Sequence, residues 1–261
     1  MVNRYNNSKN GSLDANVYVQ IEPIKNLRFK TVYGISYGAS EYRAYTPKYQ
    51  FTPQTANTVS KVNQSHGHGL SMVWTNTLSY DFNIATEHHI NALIGSELST
   101  YDGSNTEGSN TGLIPGFDDW DHAYLVNTNG TENKTVKGSP YDSTRGMSYF
   151  ARLGWTWKER YMVNATMRAD GSSKFAKGNR WGYFPSVSAG WTISEEKFME
   201  SVKSWFDFLK IRVSWGQVGN ANINCYQYLA PVSTTNTNYN FGSGGGQDAW
   251  VTGSYTSRLA N

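Results

Sequence analysis

The chain contains no run of eighteen apolar residues, so no segment can cross a bilayer as a helix. One cysteine, Cys225, permits neither an internal disulfide nor a cysteine-based metal site. Charge is sparse at 16% of residues, with a net of +3, and the basic residues are scattered rather than striped. That balance gives no reason to expect a nucleic-acid partner. The opening residues 1–10 are polar and lack the apolar stretch of a secretory signal. Nucleotide and nucleophile fingerprints are missing too. The Gly-rich run at 242–246 does not join a strand to a helix. Asp170-Gly171-Ser172-Ser173 lacks the Gly-x-Ser-x-Gly of a nucleophile elbow. The carboxylate pairs Asp118/Asp121 and Glu195/Glu196 carry no mark of acid–base chemistry. These absences predict a protein that is not an enzyme, with no cofactor and no metal.

What the chain does hold is aromatic and glycine residues in unusual number: 18 Tyr, 9 Trp and 25 Gly against 7 Pro. Tyr and Trp collect at membrane interfaces, where one end of the ring is apolar and the other wet. The mean hydropathy of −0.59 looks water-soluble. A spanning β-strand, however, needs only about 9–11 residues, of which every second one is apolar, so barrel walls escape hydropathy averages.

The stretch 168–191 shows this alternation plainly. Before it, Tyr161, Val163, Ala165, Met167 and Ala169 fall on one side and Met162, Asn164, Thr166, Arg168 and Asp170 on the other. After a short basic loop the period restarts, with Tyr183, Pro185, Val187, Ala189 and Trp191 against Phe184, Ser186, Ser188 and Gly190. Period two places successive side chains on opposite faces of a strand. The same reading predicts strands at 15–22, 28–41, 69–81, 87–100, 148–157 and from 209 onward, with Asn76 interrupting one apolar face. Polar, Gly- and Asn-rich stretches at 1–13, 45–68 and 101–146 read as loops. Phe198, Val202 and Trp205 recur at helical spacing, and Ser194 with Glu195 and Glu196 suits a helix start, so a short amphipathic helix is predicted over 194–205. A last hairpin is expected from 226–232 and 239–241.

Connection lengths alternate. Those at 23–27, 82–86 and 158–160 are short; those at 45–68, 101–146 and 171–178 are longer. All the long ones must emerge at one end of the sheet. Outer-membrane barrels have this asymmetry, with short periplasmic turns and longer extracellular loops, which would put the 194–205 helix on the periplasmic side.

On these residues the chain resembles a known family. RADGSSKF at 168–175 followed by NRWGYFPSVSAGW at 179–191 is similar to the barrel of SusC/RagA-type TonB-linked outer-membrane proteins of Bacteroidetes-like bacteria. SYFARLGWTWKERY at 148–161, LKIRVSWGQVGN at 209–220 and LAN at 259–261 fall in the order the family has. The resemblance is strong over 148–220 and looser over 15–100. It implies a stretch of a 22-stranded transporter whose lumen is plugged. Such a transporter imports glycans or peptides with energy delivered through TonB, and it pairs with a SusD-like surface lipoprotein. The resemblance also implies that the plug, and with it the contact to the TonB complex, lies outside this sequence, and that a signal stood upstream.

The expected fold is therefore all-β: an antiparallel transmembrane β-barrel wall, an incomplete, open, curved sheet of about 8–10 long strands with one short periplasmic helix. Residues 1–261 read as one partial barrel domain of a TonB-dependent receptor, set in the lipid bilayer of a Gram-negative outer membrane. The alternatives are a small self-contained outer-membrane barrel or adhesin, and a soluble β-rich carbohydrate-binding protein. Strand length and closure of the first strand on the last discriminate between them.

Candidate binding residues lie in the loop Phe117-Asp118-Asp119-Trp120-Asp121, near Tyr124. Three carboxylates around a Trp suit calcium or a stacked sugar ring. The plainer reading, a polar loop packed by its own aromatic, is favoured, because the spacing is not that of an EF-hand. Asp118, Asp119, Trp120, Asp121 and Tyr124 are the predicted substrate-contacting set. Arg152, Arg168, Asp170, Lys210 and Arg212 are predicted to face a polar lumen. The histidine pairs His66/His68 and His88/His89 lack a third ligand in sequence and read as solvated surface residues.

Overall fold

A computed structural model describes residues 5–131, 134–139, 143–202, 205, 207–225 and 228–229, together with four short strands nearer the end of the chain. The strands in order are β1 (Tyr5–Ile24), β2 (Leu27–Thr46), β3 (Tyr49–Gln50), β4 (Ala56–Asn57), β5 (Lys61–Ile84), β6 (His88–Thr111), β7 (Thr135–Gly138), β8 (Thr144–Trp157), β9 (Tyr161–Ser172), β10 (Trp181–Thr192) and β11 (Lys210–Gly216). They are followed by β12 (Val232–Ser233), β13 (Asn238–Asn240), β14 (Trp250–Thr252) and β15 (Tyr255–Thr256).

One nine-stranded antiparallel sheet organises the described residues, in the order β1-β2-β5-β6-β8-β9-β10-β11, with β7 added to the far part of β6. Every long strand pairs with its neighbour in sequence, which is the cheapest topology for loop closure. Among the described residues β1 has β2 as its one neighbour, and none of β12–β15 pairs with it. The sheet is open, as expected. Strands of 24 residues in β5 and β6 are far longer than the five or six residues typical of soluble sheets.

Register decides which side chains share a face. Directly opposed residues do, and the ladder carries each strand's apolar set onto one side. Leu78 faces Phe29 and Ile94; Ile94 faces Ala151; Ala151 faces Met167; Met167 faces Pro185. Two rows nearer the short turns, Trp155 faces Ile90 and Val163, and Ala189 faces Val163 and Val213. Val163, Val187, Trp191, Ile211 and Val213 are all exposed on this side rather than turned into a core. The opposite side carries Gly34, Thr75, Glu97, Ser148, Arg168, Ser186 and their row-mates.

The short connections close one end. Asn26 (φ 66°), Ala85 (φ 53°), Lys158 (φ 50°) and Glu159 (φ 57°) take the left-handed backbone that tight reversals need without the help of glycine. The connections between β2 and β5, β6 and β8, and β9 and β10 all lie at the other end, so the expected parity holds. Between β10 and β11 the chain runs along the short-turn end.

Several boundaries differ from those the sequence predicts. Residues 5–13, 45–46, 61–68 and 101–111, expected as loops, are strand. Backbone pairing needs no apolar side chains, and beyond the apolar band both faces are polar, so period two vanishes while the ladder continues. The segment after β10 is helical but not an α-helix: it forms two 3-10 turns, Ile193–Glu195 and Lys197–Val202. Ser194 is buried and is not the cap; its hydroxyl has no hydrogen-bond partner among the described residues. Phe198 and Trp205 remain 63% and 86% exposed, so the spacing that suggests an amphipathic helix finds no surface among the described residues to bury against. The expected last hairpin is also replaced: β12 pairs with β15 and β13 with β14. The remainder of 226–261, including the Gly-rich run, lies outside the described residues.

Burial follows from this architecture. Among the described residues the buried hydrophobics are Tyr45, Val62, Leu113 and Ala123, a small cluster under the loop after β6. A wall one sheet thick has no centre to fill.

Candidate functional site

Three features carry the chemistry: the apolar face, a charge network on the polar face, and the braced loop at the long-connection end.

The apolar face is bordered by aromatic rows. At the short-turn end His88, Trp157, Tyr161, Trp191 and Ile211 stand side by side on β6, β8, β9, β10 and β11. Their rings stack in sequence: His88–Trp157 at 5.9 Å, Trp157–Tyr161 at 5.4 Å and Tyr161–Trp191 at 6.3 Å between centroids. At the other border Trp74, Leu98, Met147, Gly171 and Trp181 form a row, and Trp181 stacks on Tyr149 at 6.1 Å. Trp181 and Trp191 sit on the same strand and face about ten residues apart. At ~3.3 Å per residue that is about 33 Å along the strand. Tilted by ~40°, the band stands about 25 Å tall, the height of the apolar band of an outer-membrane barrel. Between the rows the face is aliphatic and aromatic, with Ile90, Ile94, Leu153, Val163 and Val187 beside Phe29, Tyr80, Tyr149, Trp155 and Tyr183, and its polar break is Asn76 with the row-mates Ser96 and Thr31.

On the polar face all five sequence-predicted residues, Arg152, Arg168, Asp170, Lys210 and Arg212, point the same way by register. They do not converge on one point. Arg168 is the hub: Nε donates to Asp170 Oδ1 at 2.7 Å, and NH2 donates to Glu97 Oε1 at 3.2 Å and Ser148 Oγ at 3.1 Å. Thr75 donates to Glu97 at 3.3 Å, and the guanidinium lies 5.5 Å from the Phe150 ring centroid. Arg152 reaches Asn164 Oδ1 at 3.4 Å, while Lys210 Nζ rests 3.1 Å from Met162 Sδ and Arg212 is exposed. Glu97, Ser148 and Phe150 are the members that sequence does not single out. The available signal was Glu97 itself, the one carboxylate of β6 in the stretch 88–98 between its border rows. Phe150 sits over Gly95, where a Cβ would come within 2.9 Å of the Asn76 carbonyl, so only glycine fits there.

The acidic loop is anchored rather than open. Tyr45, beyond the apolar band, donates its hydroxyl to the Asp118 carbonyl at 3.0 Å and lies 3.2 Å from its carboxylate, which also pairs with Lys48 at 3.2 Å. Burial, with the nearby Asp118 charge, pushes the Tyr45 phenol up to about 12. Asp119 accepts from the backbone N–H and ring of His122, both at 2.9 Å, and these bonds hold its carboxyl below the usual range. Trp120 stacks on Tyr5, and Arg43 is held between the rings of Trp120 and Tyr124, 4.1 Å from each centroid. Leu125 donates its N–H to Gln64 on β5. Asp121 and Tyr124 remain exposed. The loop thus braces the outer ends of β1, β2 and β5, on the side continuous with the apolar face rather than the polar one. Asp118 and Trp120 serve that brace, while Asp119 holds His122 within the loop.

The histidines also find ordinary partners. His68 stacks on Tyr37 and lies 3.3 Å from Ser104 Oγ; His89 meets Asn83 at 2.9 Å; His88 accepts from Trp155 Nε1 at 3.1 Å. Among the described residues no group of three His, Cys, Asp or Glu side chains is placed to hold a metal.

No family model matches the sequence. Curated relatives do. TonB-dependent receptor P39 of Formosa agariphila is 29% identical over 224 residues, covering 82% of this chain and 20% of the relative. TonB-dependent receptor P26 of the same organism is 33% identical over 168 residues, covering 63% of this chain and 16% of its own length. TonB-dependent receptor SusC of Bacteroides thetaiotaomicron is 47% identical over 94 residues, 36% of this chain and 9% of the relative. Among solved structures, the RagAB peptide transporter superposes with a TM-score of 0.78 at 25% identity, covering 99% of this chain and 27% of that one. The chain therefore spans about a fifth of the length of the P39 relative.

Proposed function

We propose that the chain forms part of the wall of a TonB-dependent importer that carries nutrients across a Gram-negative outer membrane. The premise is its likeness: the chain is SusC/RagA-like, a stretch of TonB-dependent-receptor barrel by sequence and by fold. The observation that carries the proposal is the apolar face, bounded by two aromatic rows at bilayer spacing and continued across eight consecutive strands. A face of that height and composition has no partner among the described residues, and exposed apolar patches of that extent mark a membrane or an interface.

In this reading the short turns and the 3-10 turns lie in the periplasm, and the long connections lie outside the cell. The polar face lines the lumen, where Arg152, Arg168, Asp170, Lys210 and Arg212 meet the plug through which TonB acts. A SusD-like lipoprotein closes the long-connection end. The cargo is a peptide or a glycan, and the likeness to RagAB, a peptide transporter, supports the former. Any cargo contact by the loop at 117–124 draws on its exposed side chains, Asp119, Asp121 and Tyr124 among them. The open edge of β1 supports a segment of a larger barrel over a small closed one, and the strand lengths support a wall over a soluble lectin.

The experiment is uptake by cells carrying the full-length receptor, with fluorescent oligopeptides and oligosaccharides as separate cargo pools. Uptake of one pool that stops on deletion of the receptor, and on loss of TonB, is the expected result. Unchanged uptake of both pools in the deletion strain would overturn the proposal.

A further inference from the structure

We propose that the outer border of the apolar face holds a phosphorylated lipid of the outer leaflet, its phosphate on Arg145 and Arg180 and its acyl chain in the groove over Ala151. This inference rests on the reading of that face as bilayer-facing.

Two adjoining hollows on the same face carry it. The upper one has a volume of 400 Å³ and lies at the border row, with Leu98, Met147, Gly171 and Trp181 as its floor and Arg145 and Arg180 at its rim. At Gly171 a Cβ would come within 3.1 Å of the Trp181 indole, so glycine lets the ring lie close against the sheet and the floor is flat and apolar. The lower hollow has a volume of 560 Å³, one row nearer the band's centre. Tyr149 and Tyr183 flank the small side chains Ala151 and Ala169 there, with Ile94 and Met167 below. The stacked pair Tyr149–Trp181 spans the boundary between the two hollows. A charged head above and a chain-wide apolar channel beneath form the outline of an anionic amphiphile.

Charge complementarity selects the head. Arg145 is fixed by its bonds to the Tyr101 and Thr144 carbonyls and pairs with Asp102 at 3.1 Å, yet its side chain remains 52% exposed. Arg180 gives only Nε to the Phe175 carbonyl, and among the described residues no carboxylate pairs with it. The connection between β9 and β10 adds Lys174 and Lys177 and contains no acid. Cations so placed, at headgroup depth, favour phosphate over a zwitterionic head. Guanidinium groups held in a fixed pose bind it with little ordering cost.

The test uses the full-length receptor in detergent, with native mass spectrometry against three probes: monophosphorylated lipid A, the same glycolipid after dephosphorylation, and inorganic phosphate. The phosphorylated glycolipid should bind about tenfold more tightly than either other probe, and Arg145→Gln/Arg180→Gln should remove that preference. Ala151→Leu, which fills the chain groove and leaves both arginines, should weaken the glycolipid severalfold and leave free phosphate unchanged; it also carries the test if the arginine variant does not fold. Equal binding of the two glycolipids, or binding of inorganic phosphate as tight as that of the glycolipid, would overturn the inference. Brominated lipids separate the two levels. Tryptophan quenching that persists while the arginines have no effect rejects only the lipid site; absence of quenching in proteoliposomes rejects the bilayer face itself.

Discussion

At the scale of the residue, Arg168 is the most connected polar side chain of the sheet. It joins three strands, through Glu97 on β6, Ser148 on β8 and Asp170 on its own strand. The groups are partly exposed, 40% for Arg168 and 32% for Glu97, so solvent screens the pair and its worth is modest. Arg168→Met and Glu97→Gln are each expected to cost about 1 kcal/mol, with a coupling of about 0.5 kcal/mol in the double variant. Urea unfolding of the full-length receptor from liposomes checks both numbers. A coupling of zero would mean that the two side chains are only neighbours. The sequence placed Arg168 and Asp170 on one face, because period two is visible in their strand, and it did not single out Glu97 or Ser148 as their partners. It did not show that they touch, because contact across strands depends on register, and register joins residues as far apart as 97 and 168.

At the scale of the element, the two 3-10 turns after β10 are held by one side chain. Glu196 accepts from the Tyr161 hydroxyl at 2.6 Å, from Trp191 Nε1 at 3.0 Å and from Arg160 at 3.3 Å. These donors, Tyr161 first, hold its carboxyl below the ordinary glutamate value of 4.5. A carboxyl depressed in the folded state contributes stability above its unfolded value and loses it as the pH falls through the folded one. The latch is therefore closed at neutral pH and opens only in acid, below about 4.5. Glu196→Gln, which keeps an acceptor but no charge, should raise hydrogen exchange across 193–202 severalfold at pH 7 and abolish the further rise in acid. Exchange unchanged from the wild type would assign the segment's order to its backbone bonds, those from Thr192, Ser194, Glu196 and Met199. Helical spacing was legible here, and the helix type was not: the six residues of the longer turn are too few to repay α-helix nucleation without a buried face.

At the scale of the whole molecule, the apolar face sets the energetics. A soluble sheet would bury it against a second layer, and none exists among the described residues. A charge at mid-band is thus a clean probe. Ala165→Arg, central between the aromatic rows, should destabilise the receptor in bilayers by about 2–4 kcal/mol, whereas Thr166→Arg on the polar face should cost far less. The ratio of folded to unfolded receptor in liposomes under urea reads both. Equal costs would remove the distinction between the faces. The same scale explains the misplaced loops: the outer parts of β5 and β6 stand clear of the band, so neither face is selected for apolarity and the pattern that marks a strand disappears.

The sequence by itself determined that this chain is a β-wall with one apolar and one polar face, and which residues belong to each. Alternation is a local property: every strand writes it into its own side chains, and the lengths of the connections add the polarity of the sheet. Only the tertiary structure decided how far the strands run, that Asp118 and Trp120 brace a loop, and that Arg145 and Arg180 line the same apolar hollow. Those facts depend on hydrogen-bond register and on contacts between residues distant in the chain, which no window of sequence contains.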